Sequence, residues 1–156
     1  MPTLVGIARL AREGPLLEAK ARVDYAELPT RRYFNRCTSP RVPFDWTLNP
    51  YRGCEFGCKY CYARYTHEFM EYRDGLEFER KIFAKSWDAR AFRAELRRID
   101  RRESIALGTA TDPYQPAERR YLLTRRMLLE FAGESGYRLG LTTKSDLVAR
   151  DADQLL

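Results

Sequence analysis

Three cysteines lie within eight residues, in the segment Cys54-Glu-Phe-Gly-Cys58-Lys-Tyr-Cys61. The spacing is too short for an ordinary disulfide framework, and clustered thiols in a reducing compartment are typical of a metal site. Gly53 and Gly57 lie beside these cysteines, and glycine tolerates the positive φ that a chain needs when it curls tightly around a bound group. The three thiolates can therefore converge on one inorganic centre.

Two kinds of metal centre are compatible with three cysteines. A [4Fe–4S] cluster normally takes four thiolates, so three would leave one iron open to a substrate or cofactor. The alternative is a structural zinc site in which His67, the only histidine of the chain, supplies the fourth ligand. Zinc sites usually join two separated pairs of ligands, so the contiguous thiols favour the cluster. Cys37 lies outside the segment and is interpreted as a small buried side chain.

The elements that must position these cysteines follow a βα rhythm. From residue 44 onward, short apolar runs alternate with segments of helical periodicity, which indicates an α/β fold with about four parallel βα units. Asp88 or Ser86 is expected to cap the second helix. The predicted strands cover residues 45–49, 79–85, 104–108 and 137–143, and the predicted helices cover residues 60–72, 88–99, 118–134 and 147–156.

The sequence divides into an arm and a core. Residues 1–43 contain several glycines and prolines and little periodicity, so they predict an irregular N-terminal arm with one short helix near residues 16–27. Residues 44–156 form the predicted α/β core. Because ligands of parallel sheets bind beyond the carboxyl ends of the strands, the chemistry is expected in the loops that follow the strands.

Three blocks of sequence resemble a known family. The cysteine motif, with Tyr60 before its third cysteine, resembles the signature of the radical SAM superfamily. The longer string from Asn49 to Arg64 is similar to the spore photoproduct lyase-like, or DNA repair photolyase, branch of that superfamily. The segments Ala106–Glu118 and Thr142–Ser145 match the same branch and occur in the same order.

The resemblance implies the cofactors and their ligands. Cys54, Cys58 and Cys61 are expected to hold a [4Fe–4S] cluster whose open iron binds S-adenosyl-L-methionine. One electron from the cluster would cleave this cofactor to a 5′-deoxyadenosyl radical, which abstracts a hydrogen atom from the substrate. Tyr60 is expected to lie against the adenine.

The resemblance also implies roles for residues after the third and fourth predicted strands. Thr111 and Asp112 are expected to accept hydrogen bonds from the ammonium group of the cofactor. Lys144, followed by Ser145, is expected to pair with the methionine carboxylate.

The resemblance further implies an electron donor, a class of substrate and a partial core. The expected electron donor is a flavodoxin- or ferredoxin-like protein, and lesions in DNA are the substrate suggested by the lyase-like branch. Radical SAM cores usually have six βα units, so four units imply a partial barrel, the N-terminal portion of a longer core. A fragment that binds a cluster without catalysis is therefore one alternative.

Charge and hydropathy indicate which partners and which cellular location are expected. The net charge of +6 comes mostly from arginine, including pairs such as Arg97–Arg98. This charge permits a polyanionic partner, so the second alternative is a zinc-stabilised nucleic-acid-binding module without catalysis. No stretch reaches the roughly 20 apolar residues of a membrane span. Because the first residues also lack a signal-peptide pattern, a cytoplasmic protein without membrane contact is expected.

Overall fold

The computed structural model describes residues 5–20 and 22–155 and has an α/β fold with two four-stranded sheets. Strands are numbered in chain order. The first sheet contains, in spatial order, β3 (Phe34–Arg36), β4 (Trp46–Leu48), β7 (Ser104–Leu107) and β8 (Arg138–Leu141). The second sheet contains β1 (Leu16–Lys20), β2 (Val23–Leu28), β6 (Lys81–Lys85) and β5 (Tyr51–Arg52).

The first sheet has the predicted parallel architecture. Strand β4 pairs in parallel with β7, and β7 pairs in parallel with β8, so that Leu48, Leu107 and Leu141 lie in register. Strand β3 adds an antiparallel edge beside β4. Because three parallel strands end in register, the three loops that follow them lie at one edge of the sheet.

The second sheet corrects one prediction. The strand expected at residues 79–85 forms as β6 only from residue 81, since residues 79 and 80 are helical, and it is not the second member of a four-strand parallel series. It pairs in parallel with β2 and antiparallel with β5, which precedes the cysteine segment. The error arises because the apolar pattern of a strand reports its faces and not its neighbours.

The N-terminal arm is more regular than predicted. It contains helix α1 (Gly6–Glu13), and the helix expected near residues 16–27 is wrong, since β1 and β2 form an antiparallel pair there. Val23 and Tyr25 favour a strand, and pairing of β2 with β6 stabilises it. Strands β3 and β4 pair across residue 43, and the division of the chain at that residue stays a prediction.

The helices follow the predicted order with shorter bounds. Asp88 caps its helix as predicted and accepts hydrogen bonds from the backbone N–H groups of Arg90 and Ala91. The helix predicted over residues 118–134 is divided at Leu122, whose φ is +55°. The helices that follow α1 are 3-10 helix Tyr62–Met70, α2 (Glu77–Arg80), α3 (Ala89–Leu96), α4 (Glu118–Tyr121), α5 (Leu123–Gly133), 3-10 helix Asp146–Asp151 and α6 (Ala152–Leu155).

Two further points concern these helices. Leu156, the last residue of the predicted fourth helix, lies outside the described residues. None of the helices in the described part of the chain is long and apolar enough to span a membrane.

The larger core packs α3 and α5 against the first sheet. Leu48, Ile105 and Leu107 contribute from the strands and are at most 1% exposed. Phe92 on α3 and Met127 on α5 are fully buried against them. This packing holds the parallel strands, and therefore the loops at their carboxyl ends, in one arrangement.

Glu118 is fully buried at the beginning of α4. Its carboxylate accepts hydrogen bonds from the Tyr51 hydroxyl at 2.5 Å and from the Arg150 guanidinium at 2.9 Å. It also accepts from the backbone N–H groups of Thr124 and Arg125, at 2.9 and 3.1 Å. A buried carboxylate is tolerated because all these donors face it.

Asp151 is also fully buried and shares Arg150 with Glu118. It accepts hydrogen bonds from Arg150, from Arg125 and, at 3.1 Å, from the Tyr114 hydroxyl. Burial raises the pKa of Asp151, but the hydrogen bonds from the two guanidinium groups outweigh burial and hold the pKa below its ordinary value. The network therefore ties the C-terminal helices to the loop after β7.

We expect Glu118→Ala to lower the free energy of unfolding by about 3–5 kcal/mol, because Arg150 and Tyr51 lose a buried acceptor. Urea unfolding followed by circular dichroism measures the change. As a control, Glu13→Ala removes the exposed ion pair with Arg9, and should cost no more than about 0.5 kcal/mol. Equal losses in the two variants would contradict the importance of the buried carboxylate.

Candidate functional site

A cavity of about 250 Å³ lies beyond the carboxyl ends of β4, β7 and β8. Three loops line it. The first, after β4 and the short β5, brings Cys54, Cys58 and Cys61, the second brings residues 108–112, and the third brings residues 142–144. The structure therefore brings together the three blocks that the sequence singled out, which lie far apart along the chain.

The cysteine loop has the backbone shape that its glycines predict. Gly53 has φ of +80° and Gly57 has φ of +59°. A side chain at Gly53 would also clash, since its Cβ would lie 2.6 Å from the Lys81 carbonyl oxygen. Arg64 supports the loop further along by donating a 3.0 Å hydrogen bond to the Cys58 carbonyl. The tight curl is therefore built into the loop itself.

The three thiols differ in exposure. Cys54 is buried, and burial raises the pKa of its thiol to about 11. The backbone N–H groups of Phe56 and Asp112 oppose this rise in the pKa of Cys54. Cys58 and Cys61 are half-buried. Cys37, predicted as buried, is half-buried and does not line the cavity.

The three thiols surround the cavity without meeting at one point. Among the described residues, no three His, Cys, Asp or Glu side chains lie close enough together to hold a metal ion. A [4Fe–4S] cluster does not require such convergence, since each cysteine binds a different iron of the cube. Three free thiols that line one cavity are compatible with such a cluster.

Lys144 reaches the cysteine loop from the third loop. Its ammonium nitrogen lies 3.1 Å from the Cys58 sulfur and 4.4 Å from the centre of the Tyr60 ring. It also donates a hydrogen bond to the Tyr60 hydroxyl. The predicted partners of the adenine and the methionine carboxylate are thus neighbours, and a cation faces the cavity beside a cysteine.

Asp112 connects the second and third loops. Its carboxylate accepts hydrogen bonds from the Thr143 hydroxyl at 2.6 Å and from the Lys144 backbone N–H at 2.8 Å. It also accepts from the backbone N–H of Tyr114 at 2.8 Å. Asp112 lines the cavity, so it lies where a cofactor ammonium could be bound.

Two predicted cofactor contacts have other partners in this structure. The Thr111 hydroxyl, which was predicted to accept from the cofactor ammonium, already accepts from Gln115 and donates to the Gly53 carbonyl at 2.6 Å. The Ser145 hydroxyl caps the helix that follows it by accepting from Leu147 N–H, and Ser145 does not line the cavity. Thr111 lines the cavity and also supports the cysteine loop.

His67 has no access to the cavity as a fourth ligand. It is 1% exposed and its Nε2 lies 2.8 Å from the Lys81 carbonyl oxygen, to which it donates. Its ring packs edge-on against Phe78 and Phe83. Within the described residues its Nδ1 has no hydrogen-bond partner. Burial lowers the pKa of His67 to about 4, so the neutral ring belongs to the core.

Sequence reasoning missed two amides that shape the loops. Gln115 is fully buried and bonds to the cysteine loop. Asn49 accepts a 2.8 Å hydrogen bond from Ala110 N–H and donates to the Thr109 hydroxyl at 3.0 Å. Both lie inside the recognised blocks. Hydrophobic periodicity does not reveal their roles, because a buried amide in a turn cannot be distinguished from a surface amide in the sequence.

Comparisons with known proteins cover most of the chain. A family model described as the Radical SAM superfamily matches residues 48–156. Uncharacterized proteins of Mycobacterium bovis and Mycobacterium tuberculosis are 46% identical over 111 residues, which cover 70% of this chain and 32% of those proteins. An uncharacterized protein of Methanocaldococcus jannaschii is 25% identical over 138 residues, which cover 85% of this chain and 47% of that protein.

The coverage of these relatives is partial. The chain spans about a third of the length of the mycobacterial relatives and about half of the archaeal one. No solved structure gives a significant match.

We predict that the stability of the protein falls as the pH drops from neutral, because the unfolded His67 binds a proton near pH 6.5 whereas the folded one does so only near pH 4. The free energy of unfolding should fall by about 1 kcal/mol between about pH 7 and about pH 5.5. Urea unfolding at the two pH values measures this.

The control uses the fact that His67 is the only histidine. His67→Gln keeps a donor for the Lys81 carbonyl but does not titrate, so its stability should be nearly constant over this range. An unchanged pH dependence in the variant would contradict the assignment.

Proposed function

Since the chain belongs to the radical SAM superfamily, we propose that Cys54, Cys58 and Cys61 hold a [4Fe–4S] cluster whose open iron binds S-adenosyl-L-methionine. The observation that carries this proposal is the shared cavity, which three free thiols line together with the loops after β7 and β8. When bound, the cluster supplies the electron that cleaves the cofactor to a radical able to abstract hydrogen. The chain's residues bind and orient these groups.

The residues around the cavity suit the parts of the cofactor. The Lys144 ammonium is a cation beside Cys58 and is positioned to pair with the methionine carboxylate. The exposed Tyr60 ring, next to it, offers a face for the adenine. Asp112 offers carboxylate oxygens for the ammonium. Binding of the cluster and the cofactor would replace the contact between Lys144 and Cys58. The Cys58 sulfur would then bind iron, and the Lys144 ammonium would pair with the methionine carboxylate.

We also propose that the protein belongs to the lyase-like branch and acts on nucleic acid. A cavity of about 430 Å³ beside Trp46 is lined by four arginines, Arg31, Arg32, Arg36 and Arg98. Arg36 pairs with a carboxylate, whereas the other three have no ion-pair partner in the described part of the chain. Unpaired guanidinium groups beside an aromatic ring suit phosphates and bases of nucleic acid.

Reduction of the cluster requires a partner, for which we propose a flavodoxin- or ferredoxin-like protein. The four free cysteines and the oxygen sensitivity of such clusters agree with a cytoplasmic location. A cluster-binding fragment without catalysis is the second candidate. Production of 5′-deoxyadenosine under reducing conditions separates the two.

Anaerobic reconstitution tests the cluster. We expect about four irons and four sulfides per chain in the wild type, measured by chemical analysis and visible absorption. Cys58→Ala should lose most of both, because one iron loses its ligand. Cys37→Ala, a matched control outside the cavity, should retain both. Uptake of about one zinc without sulfide would contradict the proposal.

The salt dependence of oligonucleotide binding tests the basic cavity. We expect the double variant Arg31→Gln/Arg98→Gln to reduce the slope of log K against log salt by about 1.4, because each phosphate contact on a single strand contributes about 0.7 to the slope. Fluorescence anisotropy with a labelled single strand measures the slope. The control Arg73→Gln/Arg80→Gln changes two exposed arginines outside the cavity. Absent binding, or equal slopes in both double variants, would remove nucleic acid as the partner.

A further inference from the structure

Gln115 bonds to the backbone on both sides of Cys54. Its side-chain Nε2 donates to the Gly53 carbonyl at 3.0 Å, and its Oε1 accepts from the Glu55 N–H at 3.2 Å. The side chain is fully buried, so no water competes for these partners. One amide therefore satisfies the two backbone groups that flank a single cysteine.

Thr111 completes this arrangement. Gln115 Nε2 also donates to the Thr111 hydroxyl at 2.8 Å, and that hydroxyl donates to the Gly53 carbonyl at 2.6 Å. The Gly53 carbonyl thus accepts two hydrogen bonds from the loop after β7. Gln115 is itself held by its backbone, whose N–H donates to the Asp112 carbonyl at 3.2 Å.

The position of Cys54 depends on these bonds because they hold the chain immediately before and after it. They run from the loop after β7 to the cysteine loop, and the backbone N–H of Cys54 itself donates to the Phe78 carbonyl at 2.9 Å. The buried Cys54 side chain keeps its position only while the two loops keep theirs. The surroundings and solvent exposure of a ligand sulfur influence the reduction potential of a cluster.

We propose that Gln115 is a positioning residue that holds the backbone on both sides of Cys54, so that this thiol is fixed in place before any cluster binds. Cys58 and Cys61 are more exposed, and among the described contacts no single side chain bonds to the backbone on both sides of either residue. The part of this inference that concerns the redox properties of a cluster rests on the proposed function. The part that concerns the thiol does not.

Only glutamine suits these partners. The site requires two donated hydrogens and one acceptor, which a carboxylate cannot supply and which a thioether lacks altogether. Gln115→Met keeps the shape and length of the side chain and removes all three bonds. It therefore separates hydrogen bonding from packing.

The first experiment measures the alkylation of each cysteine by iodoacetamide in the full chain without a cluster, followed by peptide mass spectrometry. In the wild type, Cys54 should react more slowly than Cys58 and Cys61. Gln115→Met should raise the rate at Cys54 about tenfold, the factor expected when the loop loses its buried hydrogen bonds. The rate at Cys37 should not change.

Thr124→Val is the control for a general loss of stability. It removes another buried hydrogen bond from the same region, the 2.5 Å bond from the Thr124 hydroxyl to the Pro113 carbonyl, without touching the cysteine loop. An unchanged rate at Cys54 in Gln115→Met would overturn the proposal. An equal increase in Thr124→Val would do the same, because it would reduce Gln115 to a structural role.

The second experiment measures the midpoint potential of the reconstituted protein by a redox titration followed by electron paramagnetic resonance. Gln115→Met should change the potential, because a loosened Cys54 alters the solvent exposure of a ligand sulfur, which is one of the factors that set the potential of a cluster. Thr124→Val should leave it unchanged, and the same potential in all three proteins would overturn the redox part. If the protein binds zinc instead, the proposed function fails while the alkylation result still decides the role of Gln115.

Discussion

The Gly53 carbonyl oxygen accepts hydrogen bonds from both Thr111 and Gln115, and it joins the loop after β4 to the loop after β7. Gly53 can present its carbonyl in this direction because its φ is positive and because no side chain would fit against the Lys81 carbonyl. The next residue is Cys54. The position of a cavity thiol therefore follows from one shared acceptor, and the other two loops are arranged around it.

A buried network of charged residues connects the same two loops to the C-terminal helices. Glu118 and Asp151 share the guanidinium of Arg150, and they accept hydrogen bonds from the hydroxyls of Tyr51 and Tyr114. Tyr51 precedes the cysteine loop and Tyr114 lies in the loop after β7, so both loops are tied to the C-terminal helices. Such a network is stable only when every member is paired, which makes its geometry specific.

Local patterns predicted the parts of the fold that depend on neighbours in sequence. The strands β4, β7 and β8, the cap at Asp88 and the positive φ of Gly53 belong to this group. The pairing of β6 with β2 could not be predicted, because hydrophobic alternation is the same in either sheet. The role of Gln115 was equally hidden, since burial of an amide depends on residues 60 positions away.

The spacing of the cysteines in the sequence predicts three thiols on one loop. The sequence motifs also indicate the family to which the chain belongs. The tertiary structure decided what surrounds the thiols. It places Lys144 beside Cys58 across 86 residues of sequence, buries His67 in the core and leaves Ser145 outside the cavity. The physical reason is that chain connectivity limits distance only between near neighbours, whereas contacts between distant segments depend on how the sheets and helices pack.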